Sequence, residues 1–232
     1  MTRSVTHRPR PSTQTRSLRT QERILAAMEQ LLAAPEPGEI TMERLAERAH
    51  VSVGAIYKRF VGKDSLLPLV LERVQEQQFE RLRDFLAQPQ WPQAGLQARI
   101  HALLLAFGES QQARQRLIRA LLVGHWQSQD RGGLEARSAE LIAAMQAWLL
   151  ERAHEIRHPQ PQLALSLGLF TTLQTLQTAV LFERVPPELG LEGFARELAR
   201  MFCAYLAAAD GEPRAADAER DSRGSPRSHS RR

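Results

Sequence analysis

Apolar residues in this chain recur at three- and four-residue intervals over most of its length, the spacing that lines one face of a helix. Ile24, Met28, Leu31 and Leu32 follow it and stop at Pro35-Glu36-Pro37-Gly38, a helix-breaking cluster. Thr41 then stands where an N-cap belongs, ahead of a short helix reaching Ala49. His50-Val51-Ser52 reads as a tight turn, and Ser52 caps a second short helix over 53–60. Val61-Gly62-Lys63 breaks the pattern before a long helix over 64–87. Beyond Pro89-Gln90-Trp91-Pro92, helices are predicted over 93–107, 111–123, 133–157, 161–183 and 191–208. Gly108, Gly124, Arg131-Gly132-Gly133, His158-Pro159 and Val185-Pro186-Pro187 supply the stops. The expectation is an all-α fold of about nine helices with no strand.

Composition adds the ends and the compartment. Residues 1–17 are rich in Arg, Ser, Thr and Pro, and 210–232 in Gly, Pro, Ser and mixed charge, so both are expected to be disordered. The intervening chain divides into a small helical domain over 18–67 and a larger one over 68–209. A single cysteine, Cys203, rules out a disulfide framework within the chain and fits a reducing compartment. No apolar run approaches the roughly 18 residues of a bilayer span, and the Arg-rich start lacks the apolar core of a secretory signal. A cytoplasmic protein with no membrane partner is expected. The net charge of +5 is uneven: eleven Arg or Lys face seven Asp or Glu up to Pro68, and twenty face nineteen after it. Basic charge gathered at one end suits a polyanion.

Two short helices joined by a three-residue turn make a helix-turn-helix. Leu45 and Ala46, Val51 in the turn, and Ile56 and Phe60 would form its shared core, leaving Val53, Ala55, Tyr57, Lys58 and Arg59 outward on the second helix. Such a helix can enter the major groove of a duplex. The run from Arg23 to Leu66 resembles the DNA-binding domain of TetR-family repressors. The resemblance rests on Thr41, Leu45-Ala46, then Ala49-His50-Val51-Ser52-Val53-Gly54-Ala55-Ile56-Tyr57-Lys58-Arg59-Phe60, then Lys63 and Leu66. It covers about the first third of the chain. It implies a DNA-contacting set of Thr41, Ser52, Val53, Gly54, Ala55, Tyr57, Lys58, Arg59 and Lys63. Thr41, Tyr57 and Lys63 match backbone-contacting positions; Val53, Ala55 and Lys58 match positions facing the groove. Apolar Val53 and Ala55 suit thymine methyls, and Lys58 a guanine edge. A core role for Tyr57 and a solvated one for Lys58 and Arg59 are the alternatives.

Two departures carry consequences. His50 stands where the family often has glycine, a site that often needs positive φ. Pro68 falls inside the predicted fourth helix, where a local kink is expected.

In the remainder, Leu165, Leu169, Leu173, Leu176 and Val180 form one stripe of the 161–183 helix, with Gly168, Thr172, Thr175 and Ala179 beside it. The last helix carries Leu191, Phe194, Leu198, Met201, Phe202 and Tyr205 at similar spacing. Pairing with a second copy as a four-helix bundle is expected, through Leu165, Gly168, Leu169, Thr172, Thr175, Leu176, Ala179, Leu198, Phe202 and Tyr205. Burial of both stripes within one subunit is the alternative. The mixed face of the same helix, with Phe107 and the Trp and His residues nearby, suggests a cavity whose polar groups include His125, Trp126, Trp148, Thr171 and Gln174. The resemblance implies a homodimer on a palindromic double-stranded operator, a small hydrophobic or amphipathic effector that relieves repression, no cofactor and no catalysis. Against this stands His154-Glu155-Ile156-Arg157-His158, which spells the H-E-x-x-H zinc-hydrolase pattern. Pro159 at its end disfavours the required helix, and no third ligand follows at a familiar spacing, although Glu183 lies downstream. A DNA-compacting or adaptor protein without a ligand is the third possibility.

Overall fold

The computed structural model describes residues 13–35, 38–127 and 132–208. Among them the chain forms nine α-helices and no strand: α1 (Thr13–Leu32), α2 (Met42–Ala49), α3 (Val53–Tyr57), α4 (Leu67–Leu86), α5 (Leu96–Ala113), α6 (Gln115–Gln127), α7 (Gly132–Leu150), α8 (Pro161–Leu181) and α9 (Gly190–Ala207). Single 3₁₀ turns occupy Lys63–Ser65, Trp91–Gln93 and Ala153–Glu155. The all-α expectation holds; the C-terminal tail after Ala208 and the arm before Thr13 lie outside the described residues.

Two apolar cores organise the chain. In the first, Ile24, Met28 and Leu31 of α1 meet Leu45 and Ala46 of α2, Ile56 of α3, and Phe60, Leu66 and Val70. In the second, Leu104 of α5, Leu149 of α7, and Leu165, Leu169 and Leu176 of α8 are wholly buried, with α9 closing the layer. The cores meet on two helices. Val70 and Val74 of α4 belong to the first, while Leu82 and Phe85, two turns on, pack against the second. From α6, Leu117 and Leu121 enter the first core. The same helix donates from Gln115 Nε2 to the Val180 carbonyl (2.8 Å) and from Arg119 Nε to that of Leu181. Those are carbonyls of the last turn of α8, beyond its regular hydrogen-bond ladder.

A buried arginine staples the second core. Arg99 is 2% exposed, donates to the Trp91 carbonyl (2.8 and 3.2 Å), the Trp148 carbonyl (2.7 Å) and Glu151 Oε2 (2.8 Å), and lies 4.9 Å from the centre of the Trp148 ring. A charge at that depth is tolerable because it is paired and fully hydrogen-bonded.

Several boundaries differ from the sequence expectation. Gly108 does not stop α5, which runs on to Ala113; a Cβ there would lie 2.8 Å from Leu191 and 3.4 Å from Leu176, so the glycine serves packing. Gly124 likewise lies inside α6, and α7 ends at Leu150 rather than near 157. The first helix begins at Thr13, inside the stretch expected to be disordered. No kink forms at Pro68: α4 starts at Leu67 and takes the proline in its first turn, where a missing N–H breaks no helical hydrogen bond. The break sits earlier, in the 3₁₀ turn, where the Ser65 hydroxyl donates to the Gly62 carbonyl (2.7 Å). Finally, α8 is long and apolar enough to cross a bilayer by length and composition, contrary to the reading of the sequence. Half of that span is buried inside the chain, as in the core helix of a globular protein.

Candidate nucleic-acid interface and adjoining cavity

The helix-turn-helix is set by its caps. Thr41 Oγ1 accepts from Arg44 N (3.2 Å) ahead of α2, and Ser52 Oγ accepts from Ala55 N (3.2 Å) ahead of α3. Between them His50 takes the left-handed conformation (φ 52°, ψ 49°), as its glycine-like place in the turn implied. Its N–H meets the Glu47 carbonyl (3.1 Å), and Val51 N meets that of Ala46 (3.0 Å). Sequence reading missed Arg23 of α1, which donates to the carbonyls of Ala49 (2.7 Å from Nη2) and His50 and so ties α1 to the end of α2. An arginine among many on an amphipathic helix gives no sign of such a role.

The second helix is shorter than predicted. It ends at Tyr57, and a turn through Lys58 and Arg59 brings Phe60 back into the core, with Phe60 N donating to the Ile56 carbonyl (2.9 Å). Thr41, Ser52, Gly54, Tyr57, Lys58 and Lys63 are exposed; Val53 and Ala55 are half-buried. Tyr57 is 56% exposed, so it is not the core aromatic that the alternative reading allowed. A Cβ on Gly54 would meet nothing within 4 Å. Arg59 differs from its neighbours: its guanidinium folds back to the Ala55 carbonyl (2.9 Å) and toward Ser17 Oγ (3.4 Å), and its Nε is buried without a partner.

Residues 24–70 match the model of the bacterial regulatory proteins, tetR family. That stretch is a DNA-binding domain of the TetR type. The chain is a DNA-binding regulator. Similar solved structures include a protein of Mesorhizobium loti assigned to the TetR-family transcriptional regulators (19% identity, 82% of this chain and 98% of that one, TM-score 0.61). The fatty acid degradation regulator FadR of Bacillus halodurans is 14% identical over 84% of this chain and 97% of its own, with a TM-score of 0.54. NalD of Pseudomonas aeruginosa, the secondary repressor of the MexAB-OprM multidrug efflux pump, is 20% identical over 84% of this chain and all of its own, with a TM-score of 0.51. At these identities the likeness is one of fold. No curated protein matches the chain by sequence.

Behind the TetR-type domain lies a cavity of about 580 Å³ between α4, α5, α6, α7 and α8. Val74 and Gln75, Phe107 and Gln111, Ile118, and Leu173 each present one of these helices except α7, which adds Met145. A chamber of about 180 Å³ adjoins it and shares Gln78, Phe107, Gln111, Leu141 and Met145. Of the three ligand residues read from sequence whose side chains are described, Trp148, Thr171 and Gln174, this cavity receives Gln174 alone. Trp148 is instead buried against Trp91 (5.3 Å between ring centres), Phe85 (5.9 Å) and Arg99. Thr171 is exposed and its hydroxyl donates to the Leu167 carbonyl (2.7 Å). His125 and Trp126 sit on α6 with side chains outside the described residues.

The residues expected to pair with a second copy are mostly consumed within the subunit. Leu165, Leu169, Thr172, Leu176, Ala179, Leu198 and Phe202 are all buried. Gly168 permits close helix approach, but to α9 of the same chain: a Cβ there would lie 1.8 Å from the Phe202 ring. Tyr205 is half-buried against His158, and Thr175 is exposed. The small and large stripes of α8 thus meet α9 of the same subunit, the alternative that the sequence left open. What α8 turns outward is Leu163, Leu167, Phe170, Thr171, Gln174 and Thr178, beside Met201 of α9 (67% exposed).

The H-E-x-x-H run does not form a zinc-binding helix. Its first half is a 3₁₀ turn and Ile156 is extended (φ −93°, ψ 124°), so the two histidines do not share a helical face. Glu155 Oε2 accepts from Leu96 N (3.0 Å) at the start of α5, and His158 Nδ1 accepts from Gln160 N (3.1 Å). Among the described residues no three His, Cys, Asp or Glu side chains gather as a metal set.

Proposed function

We infer that the chain is a ligand-responsive repressor that binds a palindromic operator as a homodimer. The observation that carries this reading is the continuity between the helix-turn-helix core and the cavity. Val74 of α4 and Leu121 of α6 lie in that core and also line the cavity wall. An occupant that spreads or rotates α4 or α6 therefore moves the frame that holds α3. It acts by favouring the arrangement in which two recognition helices are wrongly spaced for one face of a duplex.

An ion-pair cluster gives this movement a handle. Arg73 of α4 pairs with Glu22 and with Glu29 (3.2 Å) of α1, and Arg114, between α5 and α6, lies 3.9 Å from the same Glu29 carboxylate and donates to Gln77. Burial lowers the Arg114 pKa, with Arg81 adding to the effect and Glu29 opposing it. The second copy docks on the outward apolar face of α8 and α9, through Leu163, Leu167 and Met201, in place of the buried stripes. The DNA-facing set is Thr41, Ser52, Val53, Gly54, Ala55, Tyr57, Lys58 and Lys63. Arg59 contributes by holding the recognition turn. NalD, a repressor of this fold, supports the sign of the regulation.

Selection of bound duplex from a random pool at near-physiological salt, with sedimentation analysis of the free protein, tests the reading. A palindrome with half-sites about one helical turn (~34 Å) apart, bound by two chains, is expected. Recovery of no preferred sequence, with binding that vanishes as salt rises, would mean phosphate attraction alone and would favour a DNA-compacting role.

A further inference from the structure

The chemistry of the cavity wall restricts what it accepts. Among the described residues that line the larger chamber none is ionisable; its polar groups are Ser138 and six glutamine amides. An ionic ligand seated in the larger chamber would leave water for described residues that offer no counter-charge, at a cost an uncharged one avoids; the one ionisable group among the described residues of the smaller chamber is Arg81. The amides of Gln146 and Gln111 behave differently. Gln146 Nε2 donates to Ser166 Oγ (2.8 Å), so that group is already engaged. Gln111 is 3% exposed, its Oε1 is buried, and that oxygen has no hydrogen-bond partner. Gln111 as a residue lines both chambers, and rotation about its side-chain bonds would present the amide oxygen to them. Leucine or methionine would fill the same volume on this apolar face without leaving an unpaired buried oxygen, which is destabilising. A polar group kept there without a partner in the protein points to a partner from outside.

We propose that the cavity binds an uncharged, mainly apolar molecule whose hydroxyl or N–H donates to Gln111, with its hydrocarbon part between Phe107, Ile118, Leu121 and Leu173. Gln111 is the specificity-determining residue. The donor on the ligand satisfies the amide oxygen, and the same contact lies one helical turn from Arg114, whose guanidinium reaches Glu29 of α1. The proposal deepens the ligand-responsive reading and rests on it.

The test uses the full chain and four eight-carbon probes: 1-octanol, its isomer 1-methoxyheptane, octanoate and octylammonium, titrated calorimetrically at neutral pH without DNA. Octanol is expected to bind about tenfold or more tighter than each of the others, because only it is both neutral and a donor. Gln111→Leu should bring octanol down to the affinity of the ether and leave the ether unchanged. Equal or tighter binding of either ion, no difference between octanol and ether in the unsubstituted protein, or no binding of any probe would each overturn the proposal. The probe comparison stands even if Gln111→Leu fails to fold, and Gln111→Met then repeats the substitution arm. Binding of the selected duplex is measured separately. Intact operator recognition with a cavity that ignores the probes defeats this proposal alone, whereas octanol binding without operator recognition defeats the repressor reading.

Discussion

Gly54 on α3 and Gly168 on α8 are both helical glycines, and the molecule treats them in opposite ways. A Cβ on Gly168 would enter the Phe202 ring at 1.8 Å, whereas one on Gly54 would find open space. Glycine in a helix costs roughly 1 kcal/mol relative to alanine, so each needs a reason. For Gly168 the reason is inside the subunit: α8 and α9 approach too closely for any side chain. For Gly54 nothing inside the subunit supplies one; a partner approaching α3 would. The buried stripes of α8 are accounted for by self-packing, whereas the open space at Gly54 is not.

Breaking the first half of the contrast should give the largest effect. Gly168→Ala forces the Phe202 ring or the α8–α9 spacing to yield, and overpacking of this kind costs about 1–3 kcal/mol. In a chain of this size that corresponds to a fall of roughly 2–4 °C in melting temperature per kcal/mol. Thermal unfolding of the variant checks it; an unchanged midpoint would mean that the ring moves aside freely and that α8–α9 closeness is not what requires glycine.

The second half is sharpened at Lys58, which is exposed at the end of α3. Lys58→Ala should leave unfolding unchanged and weaken binding of the selected duplex by about 1–3 kcal/mol. The loss should be confined to one base position if Lys58 reads a base edge, and uniform across sequences if it meets a phosphate. Competition binding with single-position variants of the duplex separates these. If Lys58→Ala and Tyr57→Ala both leave DNA affinity intact, α3 is not the recognition helix.

Gly54→Ala makes the comparison directly. With space around it and a helical conformation, alanine should raise stability by up to about 1 kcal/mol. If a phosphodiester backbone or base edge approaches α3 there, the added methyl should lower operator affinity at the same time. A variant both more stable and poorer at binding DNA is the expected result. One that is more stable and binds equally well would leave Gly54 without an external reason.

How far the sequence could be read follows the same division. Caps, the turn and the exposure of Tyr57 and Lys58 were legible because each depends on neighbours within a few residues, and His50 could be assigned positive φ for the same reason. Arg23, Arg99 and the Arg73–Glu29–Arg114 cluster were not, because each has a partner 26 to 85 residues away and arginines on helices look alike before they fold. The stripes of α8 were seen, but a helix that is apolar on most sides has two faces suitable for burial. Periodicity cannot say which one the chain itself will use. Gln111 was passed over because one glutamine on an apolar helix becomes informative only when its surroundings show that nothing pairs with it.

Cys203 should give the smallest effect and tests the inner side of α9. Burial, followed by the Glu155 carboxylate, raises its thiol pKa from 9.0 to about 11. The folded chain therefore holds this proton more tightly than the unfolded chain. Below about pH 9 the difference contributes nothing to the pH dependence of stability, and between pH 9 and 11 it lowers stability as the pH rises. Alkylation by iodoacetamide at pH 8 should be slow in the native protein and fast in denaturant, with a native rate profile climbing toward a midpoint near 11. A native midpoint near that of a free thiol would show that α9 turns this side chain to solvent.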